Sequence, residues 1–143
     1  MKEQLTEDKF TILVAEDDAD DRFLLQAAFR ENGLEGHLQF VENGVEAMEY
    51  LLSAAKHHPK LILLDLNMPK KDGREVLSEL KRLPELSDIP VIIFSTTHNE
   101  LEMKGCYDLG ANSYIVKPDN YEKLLHIITG IHSQWLKPIV SLL

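Results

Sequence analysis

The stretch that decides the fold is residues 12–18, Ile12-Leu13-Val14-Ala15-Glu16-Asp17-Asp18. An apolar run of this length that ends in charged residues is typical of a strand buried on both faces of a sheet. Two later segments repeat the pattern, because residues 61–64 run into Asp65 and residues 114–116 run into Lys117-Pro118. If these strands are parallel in one sheet, their carboxyl ends lie at the same edge. The acids and the lysine then meet in one small pocket.

Strand-like and helix-like segments alternate five times along the chain. We predict strands over residues 10–15, 38–41, 61–65, 91–94 and 113–116. We predict helices over residues 20–31, 74–83, 100–109 and 120–136, with a further helix opening at Asn43-Gly44. Helix ends are indicated by Asn32-Gly33, Gly110 and Pro138. Strict alternation predicts an α/β fold, a doubly wound parallel sheet with right-handed crossovers.

The strand order 2-1-3-4-5 fits this pattern best. The second strand is short and carries the polar Gln39, which suits an edge strand, whereas the first strand is strongly apolar. In this order the chain reverses direction between strands 1 and 3, and open α/β sheets bind their ligands in the crevice at that reversal. Glu16, Asp17 and Asp65 all fall there, which is the central inference from the sequence.

Close carboxylates form an oxygen-only site, and repulsion disfavours them unless a cation offsets the cost. Oxygen ligands suit a small hard cation, above all Mg2+. The six histidines and the single cysteine, Cys106, show no ligand spacing, so a zinc site is not expected. We expect Cys106 to be a small buried residue.

The same edge carries the residue types that phosphoryl transfer needs. Asp65 can act as a nucleophile towards phosphorus and form an acyl phosphate. Lys117 can pair with a phosphoryl oxygen, although taken alone it also fits a surface lysine that ends a strand. The hydroxyls of Ser95, Thr96 and Thr97 follow the fourth strand and can donate a hydrogen bond, although three in a row are also ordinary turn residues.

Size and charge limit the function classes. With 143 residues, the chain is predicted to be one domain over residues 1–143, with a core at about 10–130 and a C-terminal extension over 131–143. The formal net charge of -9 argues against direct binding to nucleic acid. The start, residues 1–9, is not a signal peptide, and no apolar stretch reaches membrane-spanning length. We therefore expect a cytoplasmic protein with protein partners.

Four segments resemble the receiver domain of two-component response regulators, which has the flavodoxin-like (βα)5 fold. They are residues 12–18, residues 63–73 (Leu-Leu-Asp-Leu-Asn-Met-Pro through Asp-Gly), residues 90–95 and residues 110–118. Each segment alone is a weak signal, but their spaced combination is very specific. The resemblance covers about residues 10–130.

The resemblance implies a role for each residue at the sheet edge. Asp65 would be the phosphoacceptor. Mg2+ would be held by Asp17, by Asp65, by the Asn67 carbonyl and, through water, by Glu16. Ser95 would sense the phosphoryl group, and Lys117 would pair with it. Tyr114 would change rotamer on activation and turn inward. The resemblance also implies a cis peptide bond before Pro118.

Two positions depart from the family pattern. The acidic pair has Glu16 first, and Asp18 adds a third acid whose simplest explanation is a charge at a helix N-terminus. Thr96 stands where the family usually has a small residue. We expect its branched side chain to crowd the phosphoryl pocket and to slow attack by water.

The resemblance implies a single-domain response regulator, similar to those paired with cyanobacterial and bacterial phytochromes. Its partners would be a sensor histidine kinase, of the phytochrome type, or a phosphotransfer protein, and a downstream protein target. It would be no enzyme beyond self-assisted phosphotransfer and autodephosphorylation. We expect a homodimer, formed through the fourth helix, fifth strand, fifth helix or the apolar tail; Trp135-Leu136 and residues 139–143 can instead fold onto the chain's own core.

Three other functions remain open at this stage. A phosphatase of the haloacid-dehalogenase type would need a second aspartate where Asn67 stands. A flavodoxin-like flavin carrier would need glycines and hydroxyls in the first loop, where Glu16-Asp17-Asp18 would repel a phosphate. An interaction module that works without phosphorylation would not need the full set of acids and lysine.

Overall fold

The computed structural model describes residues 10–53 and 58–136. It contains a five-stranded parallel sheet in the order β2-β1-β3-β4-β5. The strands are β1 (Ile12–Ala15), β2 (Leu38–Val41), β3 (Leu61–Leu64), β4 (Val91–Ser95) and β5 (Ser113–Val116). The helices are α1 (Ala19–Glu31), α2 (Gly44–Ser53), α3 (Gly73–Arg82), α4 (Glu100–Asp108) and α5 (Tyr121–Ile131). The predicted fold class and strand order are confirmed.

The core lies in two layers, one on each face of the sheet. Side chains alternate along β1, so that Leu13 and Ala15 pack with α2, α3 and α4. Ile12 and Val14 point to the opposite face and pack with α1 and α5. Because helices cover both faces of the sheet, the side chains on both sides of a central strand are buried. The central strands are therefore continuous apolar runs in the sequence and not alternating patterns. Within the described ranges, no helix combines the length and the apolar character that a bilayer crossing would require.

The element boundaries differ most from the prediction in three places, and several other ends differ by one residue. β1 begins at Ile12, two residues later than expected, and a short 3-10 helix (Glu35–His37) that was not predicted precedes β2. The last helix was predicted to run on to residue 136, but α5 ends at Ile131 and continues as a π-helix, His132–Leu136. Hydrophobic spacing over so short a stretch does not distinguish the two helix types. Pro138, expected to stop this helix, lies outside the described residues.

The last two residues that the structure describes, Trp135 and Leu136, pack against the core of their own chain. Leu136 is buried and Trp135 is partly buried against the layer formed with α1 and α5. This agrees with the interpretation that Trp135-Leu136 folds onto the chain's own core. Residues 139–143 lie outside the described part of the chain. Cys106 is buried, as expected.

Two glycines fix the loop that follows β3. The Gly73 amide donates to the Leu66 carbonyl at 2.9 Å, and a Cβ at Gly73 would collide with the Asp65 carbonyl oxygen and lie 2.8 Å from the Leu66 Cα. A Cβ at Gly44 would collide with the Lys71 carbonyl oxygen. The loop after Asp65 therefore sits against the starts of α2 and α3, closer than any other residue type would permit.

We expect the Gly73→Ala substitution to reduce the free energy of unfolding by about 1–3 kcal/mol, because the new methyl group overpacks against backbone that cannot move aside. Gly105→Ala in α4 is the matched control, since a Cβ there meets nothing within 4 Å. Removing a helix-interior glycine should raise the free energy of unfolding by about 0.5–1 kcal/mol. Urea unfolding measures both, and equal changes in the two variants would contradict the packing argument.

Candidate functional site

The strand register brings the acids together. Ala15 of β1 pairs with Leu64 of β3, so the residues that follow each strand emerge side by side. Glu16, Asp17 and Asp65 each place a carboxylate oxygen within 4.8 Å of the others. Glu16 and Asp65 are buried, and Asp17 is exposed. The convergence expected from the sequence is therefore present in the structure.

The surroundings of Glu16 disfavour the charged form of its carboxyl group. Burial, followed by the nearby Asp65 carboxylate, raises the pKa of Glu16 to about 7, although Lys117 opposes this rise. Its Oε1 atom is buried, and its only partner within the described residues is the Lys117 ammonium group, which lies 2.9 Å away. Burying a carboxylate beside another carboxylate is costly unless positive charge compensates it. The three clustered carboxylates fit a hard divalent cation that takes oxygen ligands.

Lys117 contacts three carboxylates from the end of β5. Its Nζ atom lies 2.8 Å from the Asp21 Oδ2, 2.9 Å from the Glu16 Oε1 and 3.3 Å from the Asp65 Oδ2. Burial alone would lower the pKa of Lys117, but the Asp21 and Glu16 carboxylates outweigh it and raise the pKa above its usual value. The Lys117 amide also donates to the Ser95 carbonyl at 2.8 Å, which ties the β5 end to β4.

Asp21 is a site residue that the sequence analysis missed. It lies in the first turn of α1, and its amide donates to the side chain of Asp18, the N-cap of that helix, at 2.9 Å. Asp18 thus has the helix N-terminal role expected for it. The available signal for Asp21 was its place in the first turn of a helix that starts at the acidic edge, directly after the acids that end β1.

Asp65 is held on both of its carboxylate oxygens. Oδ1 accepts a hydrogen bond from the Asn67 amide at 3.2 Å, and Oδ2 faces Lys117. These contacts orient the carboxyl group at the sheet edge, and Asn67 itself is exposed at the start of the loop. The arrangement places this oriented carboxylate beside two further acids and an ammonium group.

The hydroxyl residues after β4 occupy different environments. Ser95 is fully buried, and its Oγ accepts a hydrogen bond from the Thr97 amide at 3.3 Å. Thr96 is exposed. Tyr114 is buried and its hydroxyl donates to the Thr97 carbonyl at 2.6 Å, so the ring already points inward. Burial raises the pKa of the Tyr114 hydroxyl.

The cis peptide bond expected before Pro118 is not found. No peptide bond among the described residues is cis, so the Lys117-Pro118 bond is trans. Lys117 reaches the three carboxylates from this backbone, so the lysine contacts do not require the cis form. For a bond before proline the trans form is favoured by about 0.5–1 kcal/mol.

Comparison with known proteins identifies the family. The family described as "Response regulator receiver domain" matches residues 12–129. The response regulator Rcp1 of Synechocystis sp. is 39% identical over 132 residues, which cover 90% of this chain and 90% of that protein. The probable methanogenesis regulatory protein FilR2 of Methanothrix harundinacea is 35% identical over 133 residues, covering 91% of this chain and 86% of that protein.

Two crystal structures are similar over almost the whole chain. The phosphorylated cyanobacterial phytochrome response regulator RcpA superposes with a TM-score of 0.85 and 42% identity, covering 91% of this chain and 96% of that one. The Mn2+-bound form of response regulator Rcp1 superposes with a TM-score of 0.81 and 38% identity, covering 92% and 97%. The family match decides between the receiver domain and the phosphatase and flavin-carrier alternatives. The chain therefore belongs to the response regulator receiver domain family and has its phosphorylation-accepting role in two-component signalling.

Proposed function

We propose that Asp65 is the phosphoacceptor of a single-domain response regulator, which receives its phosphoryl group from a phosphohistidine of a histidine kinase. The observation that carries this proposal is the position of Asp65 between Glu16, Asp17 and the Lys117 ammonium group. Its similarity to RcpA, which crystallised in a phosphorylated form, gives further support.

In the proposed reaction, an Asp65 carboxylate oxygen attacks the phosphorus atom. The bond from phosphorus to the donor breaks, and the acyl phosphate forms. Phosphorylation adds close to two negative charges. Lys117 pairs with one phosphoryl oxygen and the Ser95 hydroxyl donates to another, so both stabilise the charge that develops during transfer.

The acidic cluster is proposed to hold Mg2+. Asp17, Asp65 and the Asn67 carbonyl would be direct ligands, and Glu16 would bind through water. When bound, the ion neutralises charge on the carboxylates and on the phosphoryl oxygens. The support comes from the cluster of Glu16, Asp17 and Asp65 carboxylates and from Rcp1, whose structure contains Mn2+.

The proposed switch links Ser95 to Tyr114. As Ser95 turns its hydroxyl to the phosphoryl group, the inward Tyr114 orientation, held by the Thr97 carbonyl, becomes the favoured one and changes the surface of α4, β5 and α5. Moving a population from 1:99 to 99:1 needs about 5.5 kcal/mol. Charge-assisted hydrogen bonds of about 1.5–3 kcal/mol each supply energy on that scale.

The partners belong to the same proposal. The similarity to RcpA favours a sensor histidine kinase of the phytochrome type, or a phosphotransfer protein, as the donor. The output is contact with a downstream protein and not with nucleic acid, in keeping with the net charge of -9. The protein would act in the cytoplasm, as a signalling substrate with self-assisted phosphotransfer and autodephosphorylation as its only chemistry.

Incubation with acetyl phosphate and Mg2+ should add the mass of one phosphoryl group to the wild-type protein. Asp65→Asn should remain at its own mass, because an amide oxygen does not form the acyl phosphate. Adding EDTA in excess over Mg2+ should abolish the adduct in the wild type. Intact mass spectrometry measures all three samples.

Asp72→Asn is the control, because Asp72 caps α3 and does not touch Lys117. It should be phosphorylated like the wild type. An adduct that persists in Asp65→Asn would mean that another residue accepts the phosphoryl group, and an adduct that persists in EDTA would refute the metal requirement.

Thr96→Ala should shorten the lifetime of the phosphorylated protein, because removing the branched side chain opens the phosphoryl group to water. The decay rate of purified phosphoprotein in Mg2+ buffer measures this lifetime. Thr129→Ala on α5 is a control for loss of a threonine far from the sheet edge. An unchanged lifetime in Thr96→Ala would show that this residue does not shield the pocket.

We also propose that the protein forms a homodimer through the surface of α4, β5 and α5 or through residues 131–143. The exposed Leu101, Tyr107 and Val116 give this surface an apolar character. Light scattering over a range of concentrations, with and without beryllofluoride as phosphoryl mimic, should show a dimer. A monomer under both conditions at high concentration would refute the proposal.

A further inference from the structure

The Lys117 ammonium group is shared among several carboxylates, with hydrogen bonds to Asp21 and Asp65 and an ion pair to Glu16. An ammonium carries three N–H donors, and Lys117 faces three carboxylates, those of Glu16, Asp21 and Asp65. A phosphoryl group on Asp65 would bring new anionic oxygens that compete with these carboxylates for Lys117. The carboxylate that yields Lys117 most easily then decides how readily the phosphoryl group is accepted.

Asp21 is the contact that costs least to release. Its side chain is 34% exposed, whereas those of Glu16 and Asp65 are 1% and 5% exposed. A partly exposed carboxylate regains water when its partner leaves, but a buried one is left without compensation. Asp21 also makes the shortest of the three contacts, at 2.8 Å, so it competes directly with any new anion for Lys117.

The start of α1 holds Asp21 in this place. The Asp18 side chain caps the Asp21 amide, and the Arg22 guanidinium donates to the Glu16 carbonyl at 2.9 Å. The first turn of the helix is thereby tied to the end of β1. These contacts fix the backbone position from which the Asp21 carboxylate reaches Lys117.

We propose that Asp21 is a positioning residue that holds Lys117 before phosphorylation and is exchanged for a phosphoryl oxygen when Asp65 is modified. Asp21 therefore restrains phosphorylation, and it acts through Lys117. This inference rests on the proposed function of Asp65 and Lys117, and it adds to that function a residue which sets the rate of the switch.

The first test compares Asp21→Asn with Asp20→Asn. Both substitutions remove one negative charge from the first turn of α1, but Asp20 is exposed and does not contact Lys117. With acetyl phosphate and Mg2+, Asp21→Asn should be phosphorylated about three- to tenfold faster than Asp20→Asn, because release of one charge-assisted hydrogen bond is no longer required. Equal rates in the two variants would overturn the proposal.

A double-mutant cycle then separates action through Lys117 from a general charge effect. In a Lys117→Met background, the ratio of the rates with and without Asp21→Asn should fall to about one. A ratio that stays at its original value would mean that Asp21 acts by long-range electrostatics, and the positioning role would be wrong. Thermal melts of every variant verify that it is folded.

A crystal structure of the wild type with Mg2+ and beryllofluoride gives an answer independent of rates. Lys117 Nζ should contact a fluorine atom and lie beyond hydrogen-bond distance of Asp21. A retained Asp21 contact would refute the exchange. If the wild type takes up no phosphoryl group from acetyl phosphate, the proposed function fails; if it does and Asp21→Asn matches Asp20→Asn, only the present inference fails.

Discussion

The repulsion between carboxylates at one sheet edge, offset by a single lysine, is the constraint on which the rest of the site depends. Glu16 and Asp65 are buried close together, which no fold would favour for stability alone. Lys117 compensates them only in part, because a single ammonium group faces three carboxylates. A bound cation would relieve the repulsion that remains.

The backbone around the site keeps these charges from moving apart. Parallel pairing of β1 with β3 and of β4 with β5 sets the positions of the acids and the lysine. Gly44 and Gly73 bring the loop after Asp65 against the starts of α2 and α3. The strand pairing and these close approaches together hold the charged groups at one edge of the sheet.

The parts of the fold that depend on repeated patterns could be predicted from the sequence. Continuous apolar runs predicted the strands, and their alternation with helices predicted a parallel sheet. The polar Gln39 indicated that β2 lies at the edge of that sheet. The acids that end β1 and β3, and the lysine that ends β5, were found because they follow apolar runs in the sequence. The bounds of β2 and β5 agree with those in the structure.

What could not be predicted depends on contacts between distant residues. The pairing of Asp21 with Lys117 joins positions 96 residues apart, and no local pattern marks it. The tight approach of Gly73 to Asp65, and of Gly44 to Lys71, is visible only when the loop is folded. The inward orientation of Tyr114 depends on a carbonyl of the neighbouring loop. The trans bond before Pro118 corrects an expectation that came from family resemblance and not from the residues.

The most direct test of the central claim is the free energy of unfolding of the Asp17→Asn variant, measured with urea in EDTA and in saturating Mn2+. If crowded carboxylates are held for a cation, Asp17→Asn should be more stable than the wild type in EDTA. At a free Mn2+ concentration of about 100 times the Kd, the free energy of unfolding of the wild type should rise by about 2.7 kcal/mol. That of the variant should rise far less. A variant that is less stable in EDTA, and that gains as much from metal as the wild type, would contradict the account.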